Sequence, residues 1–513
     1  MSETHRIRPS LLLASAVSTA ALTGQATLDQ APVPTFSEHI APIIFNKCTT
    51  CHRPGQIGPF SLMDYKQVRR RAKMIRKVTK SRFMPPWHPV SGHGEFVGES
   101  RLTQAEIDLI SRWVDAGSPE GDASKLPAKP EFVDDWALGK PDMIIKMSEG
   151  FTVPAGGRDI YRNFAIPMSL DERKWLTAIE VRPSARAVLH HILFVIDTTL
   201  ESRRKDGRDG RPGFSGMRGA RLSSNDRVGN DIAGLSGWAV GGQPHHLPMG
   251  LGRELPKGEF DLVLNSHFHP SGKEEVEQTT LGLYFADKKP SHRMVALCLP
   301  PNFGVAAGIN IPAGEKNYVV KDSFTVPVDA LGLTIGGHAH YLGREMKVFV
   351  TRPGGQRESI FWIDNWAFNW QNRYQYKEPV DLPAGTKIDM EIVYDNSTDN
   401  PSNPYDPPRR VGWGFQSNEE MGGISLLMVP KDRYKSRKLA REIRNAARRS
   451  MSGGGMISGM IGQMASRIRD MDKDGDGFVN LEDLPQSYRR FVGRYDRDGD
   501  GKLSSKEIDE IGR

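Results

Sequence analysis

Three groups of histidines fall within one stretch of this chain: His190-His191, His267 and His269 flanking Phe268, and His338-Ala339-His340. Imidazole suits copper, zinc, iron and nickel. Any one pair alone reads as a surface or hydrogen-bonded pair, but three groups in one region point to metal. In an extended strand, residues i and i+2 share a face, so His338 and His340 can hold one ion without distortion. The adjacent His190 and His191 would point to opposite faces, and their joint use needs a bulge or a strand end. A thioether added to two imidazoles favours copper, and Asn418-Glu419-Glu420-Met421 supplies Met421, which by itself would read as a gap-filling core residue. Zinc more often recruits cysteine or carboxylate, and Cys298 sits in an ordinary apolar run.

A second chemistry stands nearer the N-terminus. Cys48-Thr49-Thr50-Cys51-His52 is the C-x-x-C-H pattern of covalent haem attachment, in which two thiols bond the porphyrin and the next imidazole ligates iron. A thioredoxin-like pair would need a βαβ context, and half a zinc site would need a second ligand pair nearby. Phe83-Met84-Pro85-Pro86-Trp87 offers Met84 as the distal ligand, favoured over Met63, which lies close to the attachment site. A basic helical stretch, Tyr65 to Lys80, separates His52 from Met84, and Leu102 to Gly117 reads as a closing helix with Thr103 as N-cap and Glu106 three residues on. Residues 34–125 resemble the cytochrome c modules with a Met-Pro-Pro-Trp motif that are fused to bacterial enzymes. His/Met ligation raises the iron potential, so such a module passes single electrons.

Near the C-terminus, Asp472-Lys473-Asp474-Gly475-Asp476-Gly477 and Asp496-Arg497-Asp498-Gly499-Asp500-Gly501 both match the start of an EF-hand calcium loop. Phe478 and Lys502 fall where a backbone carbonyl is supplied. The twelfth position is Glu507 in the second loop but Asp483 in the first, whose shorter side chain predicts weaker calcium binding or tolerance of magnesium.

The elements that must position these groups follow from texture. The chain has 513 residues, 52 of them Gly and 35 Pro, which fits several turn-rich globular domains. Arg6 and Arg8, the apolar run from Leu11 to Leu22 and Gly24-Gln25-Ala26 read as a secretory signal over 1–26, which predicts a periplasmic or secreted bacterial protein. No later run approaches the ~20 apolar residues of a membrane span. With only Cys48, Cys51 and Cys298, a disulfide framework is excluded. From about 130 to 430 the segments are short, β-branched and partly alternating: Ile388, Met390, Ile392 and Tyr394 face one way, and Asp389, Glu391 and Asp395 the other. A Pro-x-Gly turn precedes expected strands at Pro154, Pro256, Pro312 and Pro383. The expected fold class is therefore multidomain: a small all-α cytochrome c domain (34–125), two antiparallel jelly-roll-like β-sandwiches (130–290 and 291–430), a basic helix and Gly/Met-rich linker (431–464) and an α-helical EF-hand pair (465–513). The net charge of +7 sits in short runs, with nine basic residues between Lys66 and Arg82 and nine between Lys431 and Arg449. These read as solvated helix faces, and the Gly/Arg stretch from Arg203 to Arg221 as an exposed loop, so nucleic acid is not an expected partner.

The order His-His, then Asn-Ser-His-Phe, then His-x-His, then Glu-Met resembles the type II copper, ascorbate-dependent monooxygenases, the family of peptidylglycine α-hydroxylating and dopamine β-monooxygenases. Leu189-His190-His191-Ile192-Leu193-Phe194, Leu264-Asn265-Ser266-His267-Phe268 and Gly337-His338-Ala339-His340-Tyr341-Leu342-Gly343 carry the resemblance, which covers roughly 135–430. It implies two eight-stranded antiparallel domains, each with a copper on the facing surface. His190, His191 and His267 would hold the copper that takes and relays an electron; His338, His340 and Met421 would hold the one where dioxygen binds and a substrate C–H bond is attacked. His269 has no family counterpart and is expected in an outer shell or on the surface. The arginine, asparagine and tyrosine that flank the second site in the peptidylglycine enzyme are replaced by Gly336, Gly423 and Ser425, which argues against a C-terminal glycine peptide as substrate. The expected cofactors are thus two copper ions, one haem c and calcium, and the partners dioxygen, a small-molecule substrate and an electron donor, either a protein or ascorbate, with the tethered haem replacing or supplementing ascorbate. The alternative readings are an electron-transfer or copper-binding protein without oxygenase activity, and an adhesion-like β-sandwich that has lost its metals.

Overall fold

The computed structural model describes residues 32–54, 58–132, 136–216, 237–239, 242, 244–248, 250–305, 307–414, 416–452, 464–465, 467–469, 471–472 and 476–511. The expected signal segment and Asp474 lie outside them.

Residues 36–115 fold as short helices around one apolar cluster. Phe36, Ile40, Ile44, Val68, Ile75, Ile107, Ile110 and Trp113 are buried together. Asp64 caps the helix Tyr65–Arg70 through a bond from Gln67 N–H at 2.9 Å. The expected single helix to Lys80 is instead two, because Arg71 leaves helical geometry (φ −113, ψ 8) before Ala72–Lys80 begins. Thr103 and Glu106 form a reciprocal capping box on Gln104–Asp115, satisfying two N–H groups at a helix start.

Between residues 143 and 430 the described strands pair antiparallel. In the first half a five-stranded sheet runs in the order Phe214–Ser215, Ile160–Leu170, Gly258–Phe268, Leu189–Asp197, Trp238–Ala239, facing a four-stranded sheet of Met143–Lys146, Thr280–Phe285, Lys174–Arg182 and Arg253–Leu255. Phe164, Phe194, Phe260, Leu264, Leu281 and Leu283 lie in its core. The second half pairs the sheet Val295–Leu299, Gly422–Pro430, Ala330–Ala339, Arg373–Leu382 with the sheet Tyr318–Thr325, Lys387–Tyr394, Gly343–Thr351, Arg357–Ile363. Along Lys387–Tyr394 burial alternates, with Ile388, Met390, Ile392 and Tyr394 inward, as the period-two pattern predicts. The Pro-x-Gly turns place Gly258, Gly314 and Gly385 at φ 89, 76 and 89; in the first copy the positive φ falls one residue later, on Gly157 (φ 117).

Three connecting segments are more tightly held than their composition suggests. The basic helix Ser436–Ser452 lays Leu439, Ile443 and Ala446, spaced at helical periodicity, on the second sandwich. The start of the Gly/Arg stretch is not a free loop. Residues 203–215 wrap the Arg162 guanidinium, which is 1% exposed and donates to the Asp209 carboxylate and to the carbonyls of Arg211, Pro212 and Gly213. Finally, residues 89–97 add to the second sandwich, with isolated bridges Pro89↔Ile363 and Phe96↔Tyr376. Among the described residues no helix is long and apolar enough to cross a membrane.

Candidate metal centres

His190 and His191 open the strand Leu189–Asp197, and His267 lies near the end of its neighbour Gly258–Phe268. The ladder pairs His191 with His267 and shifts register between Leu189 and His191. That irregularity is what two adjacent histidines need to reach one point. Nδ1 of His190 is 3.1 Å from Nδ1 of His191, which is 3.4 Å from Nδ1 of His267, and the three ligand atoms lie within 4.8 Å of one another.

The far nitrogens fix the tautomers. His190 Nε2 is 3.2 Å from the Phe368 carbonyl, which can only accept, so Nε2 carries the hydrogen and the Nδ1 lone pair faces the triad. Asp159 Oδ2 lies 3.3 Å from Nε2 of His267, oblique for a full hydrogen bond but suited to hold the ring in the same sense. Tyr161, opposite His267 in the ladder, stacks on its ring at 4.2 Å. Burial pushes the His190 imidazolium down to about 3, and burial likewise lowers His191 and His267, so all three are neutral at pH 7. The Nδ1 lone pairs of His190 and His267 thus converge beside Nδ1 of His191, an arrangement of the kind that can hold one metal ion.

His269 is not idle surface. Its Nδ1 meets Asp159 Oδ1 at 2.7 Å, and Asp159 also accepts from the N–H and hydroxyl of Ser417 in the second sandwich. The carboxylate thus joins the first triad to the loop leading to Met421.

His338 and His340 end the strand Ala330–Ala339 with ring centroids 5.2 Å apart. His338 Nδ1 donates to Gln371 Oε1 at 2.6 Å and His340 Nδ1 to the Glu419 carbonyl at 3.1 Å, which leaves Nε2 of both rings with a free lone pair. Burial lowers His338 to about 4 and His340 well below its ordinary value. The ladder pairs His338 with Gly423 and ends at Ala339 with Gly422, so His340 and Met421 each lie next to the last pair of the two strands. Met421 is 4% exposed and also belongs to the second sandwich's core. Glu420 fixes this corner: its carboxylate accepts from the N–H groups of His340 (2.6 Å), Met421 (2.8 Å) and Leu342 (2.9 Å). Gly337 is required by packing, since a Cβ there would lie 2.2 Å from Met346 Sδ. Phe368 stands between the two sets, stacked on His190 at 4.4 Å and edge-on to His340 at 5.8 Å.

At the haem motif, Cys48 caps the helix Ala41–Lys47 and His52 N–H returns to the Cys48 carbonyl at 2.9 Å, so both thiols and the imidazole leave one turn. Neither cysteine is in a disulfide, and burial raises the Cys48 thiol to about 12 and raises Cys51. His52 Nδ1 donates to the Phe60 carbonyl at 3.1 Å, which leaves Nε2 with the lone pair. Gly58 lies so close that a Cβ would fall 2.7 Å from His52 Nδ1. Met84 N–H bonds Val78 O just after Ala72–Lys80, while Met63 N–H bonds the Gln67 side chain ahead of Tyr65–Arg70.

In the tail, Phe478–Asn480 pairs with Lys502–Ser504. Asp496, Asp498 and Asp500 bring carboxylate oxygens within 4.8 Å of one another. Glu507 is turned into the capping box of Ser505–Glu510 instead, bonding Ser504 and Arg497 N–H. In the first loop Asp472 and Asp476 accept from Gly477 and Phe478 N–H, and Asp483 accepts from the Asn480 amide.

Sequence alone did not single out Asp159, Phe368, Gln371 and Glu420. Glu420 stood beside Met421, but the other three lie in segments without a motif, and Asp159 and Phe368 join the two sandwiches through Ser417 and His190.

No family model and no characterised protein matches the sequence. Among solved structures, the major capsid protein P2 from bacteriophage PM2 is similar at TM-score 0.23 and 8% identity over 56% of this chain and 97% of that one. The infectious bursal disease virus VP2 subviral particle gives 0.18 and 12% over 61% and 76%, and PNGase F from Flavobacterium meningosepticum 0.22 and 8% over 57% and 97%.

Proposed function

We propose that this chain is an exported copper monooxygenase of the ascorbate-dependent type II class, with a fused c-type haem as electron donor and a calcium-binding EF-hand tail. The reading is carried by one observation: three neutral imidazoles, those of His190 and His267 buried and that of His191 half-buried, bring Nδ1 together while the outer nitrogens of His190 and His267 are turned to Phe368 and Asp159. The donor set fits copper: three imidazoles at the first centre, and two imidazoles with the Met421 thioether at the second. Bound copper would supply one-electron chemistry and dioxygen activation for hydroxylating an aliphatic or benzylic C–H bond. The chain's own residues do the rest. Gln371 and the Glu419 carbonyl hold the Nδ1 hydrogens of His338 and His340, Glu420 holds the backbone that carries His340 and Met421, and burial keeps both rings unprotonated at pH 7. His52, Cys48 and Cys51 would hold the haem, with Met84 as the second axial ligand. In the tail Asp472, Asp474, Asp476, Phe478 and Asp483, and Asp496, Asp498, Asp500, Lys502 and Glu507, would hold calcium.

The second reading is a copper-binding or electron-transfer protein without oxygenase activity, which would use the same ligands. Copper-dependent oxygen uptake by the haem-replete protein, screened across aliphatic and benzylic alcohol precursors, separates the two. Hydroxylated product whose formation is lost in His338→Ala supports the monooxygenase; full copper loading without uptake for any compound supports the carrier.

A further inference from the structure

The arm that carries Met84 does not hang free between domains. Val90 N–H donates to the Trp362 carbonyl at 2.7 Å, Val97 N–H to the Gln375 carbonyl at 2.8 Å, and Lys377 N–H to the Glu95 carbonyl at 2.9 Å. Residues 89–97 are thereby stitched onto edge strands of both sheets of the second sandwich, Arg357–Ile363 and Arg373–Leu382. Phe96, 2% exposed, packs against Tyr376, Tyr374 and Phe361 at centroid distances of 5.0, 5.5 and 6.2 Å. Nearer Met84, Trp87 meets Tyr374 edge-on at 5.2 Å.

Tyr374 pairs with Ile335 on the strand that ends in His338, and Gln371, three residues before Tyr374, holds His338 Nδ1 at 2.6 Å. One run of four residues therefore touches the Met84 arm at one end and a candidate copper ligand at the other. The competing entry is Arg186, four residues before His190, whose charge acts on Cys51 from the first sandwich. The arm's hydrogen bonds and ring contacts fix the separation of the two redox modules.

We infer that electrons leave the haem through Trp87 and Tyr374 and enter the β region at the His338/His340/Met421 centre. This reverses the order implied by the family resemblance, in which the His190/His191/His267 centre receives the electron first. The inference rests on the proposed haem and copper assignments. Each transfer moves one electron: ferrous haem iron becomes ferric and the cupric ion held by His338 and His340 becomes cuprous. Trp87 and Tyr374 bridge the gap without gaining or losing a proton.

The test uses the full chain, haem-replete and copper-loaded, with the haem reduced by one equivalent under anaerobic conditions. The haem absorption band reports re-oxidation and the cupric electron paramagnetic resonance signal reports which copper is reduced. In the unaltered protein the haem re-oxidises and one cupric signal disappears. His190→Ala keeps this transfer, His338→Ala loses it, and Trp87→Leu slows it several-fold while Trp87→Phe restores part of the rate. Copper content and the haem spectrum of each variant verify that the remaining centres are in place. Loss in His190→Ala with survival in His338→Ala would overturn the inference, as would an unchanged rate in Trp87→Leu. If reduced haem in the unaltered protein re-oxidises at the same rate with and without copper, the coupling under the proposed function fails, and the inference with it.

Discussion

Replacing Asp159 by asparagine tests whether the first triad and the loop before Met421 form one unit. The carboxylate, with a side chain only 6% exposed, meets His269 Nδ1 at 2.7 Å and His267 Nε2 at 3.3 Å, and accepts from Ser417 N–H and hydroxyl. Asparagine keeps the shape but loses the charge, and its amide hydrogens must face groups that themselves donate. A hydrogen bond to a charged group contributes ~1.5–3 kcal/mol, and removing one partner of a buried pair costs ~3–5 kcal/mol. His269 is half exposed, so solvent screens its part, and the net loss of stability should be ~2–3 kcal/mol. Copper affinity at the first triad should fall ~10–100-fold, because the ring of His267 loses its orienting partner. Urea unfolding of the metal-free protein and a copper competition titration measure the two effects. The pH profile gives a separate check. Burial pushes the Asp159 carboxyl up, but bonds from His267, His269 and Ser417 pull it well below the usual carboxylate range. Its contribution is present above its ordinary 3.8 and is lost as pH falls through the depressed folded value. The Asp159 bond raises His269, so that contribution is complete below 6.5 and is lost as pH rises through the folded value. The stability gap between the two proteins should therefore be widest between ~pH 4 and 6.5. An asparagine variant with unaltered stability and copper affinity, or a gap that widens above neutral pH, would refute the argument.

Three further outcomes follow from particular contacts. Arg162→Leu removes the buried donor of the Asp209 pair and leaves three carbonyls without their partner, so the first sandwich should lose ~1–3 kcal/mol, read by thermal unfolding; no change would mean that residues 203–215 are held some other way. Gly337→Ala forces a methyl against Met346 Sδ, costing ~1–3 kcal/mol by overpacking, and copper at the second centre should be lost before copper at the first in a chelator titration. Asp498→Asn removes one of three clustered carboxylates, so calorimetry should show weaker calcium binding at the second loop; unchanged affinity would place calcium elsewhere.

The sheet content was legible because strands buried on one face must alternate, as Lys387–Tyr394 does. The need for a bulge at His190-His191 was also legible, since side chains on a regular strand cannot converge from adjacent positions. The second pair followed from the i, i+2 rule, and the ladder stops one residue short of His340 and Met421. What stayed hidden depends on contacts between distant segments. Nothing local marks Asp159, whose three partners lie 108, 110 and 258 residues away. The Gly/Arg stretch looked solvated because its composition is polar; the Arg162 guanidinium, buried in a neighbouring strand and in need of acceptors, gives residues 203–215 a reason to order.

Those long-range contacts also constrain how the two histidine sets work together. The Phe368 carbonyl holds His190 while the Phe368 ring lies between His190 and His340, and Asp159 holds His267 and Ser417 at once. Any widening of the seam between the sandwiches must break the His190–Phe368 and Asp159–Ser417 bonds together. Each of those bonds orients or adjoins a ligand of the first triad. Access to the space between the histidine sets and the geometry of the first centre are therefore linked, and a ligand that wedges the seam open must loosen His190 and His267 in proportion.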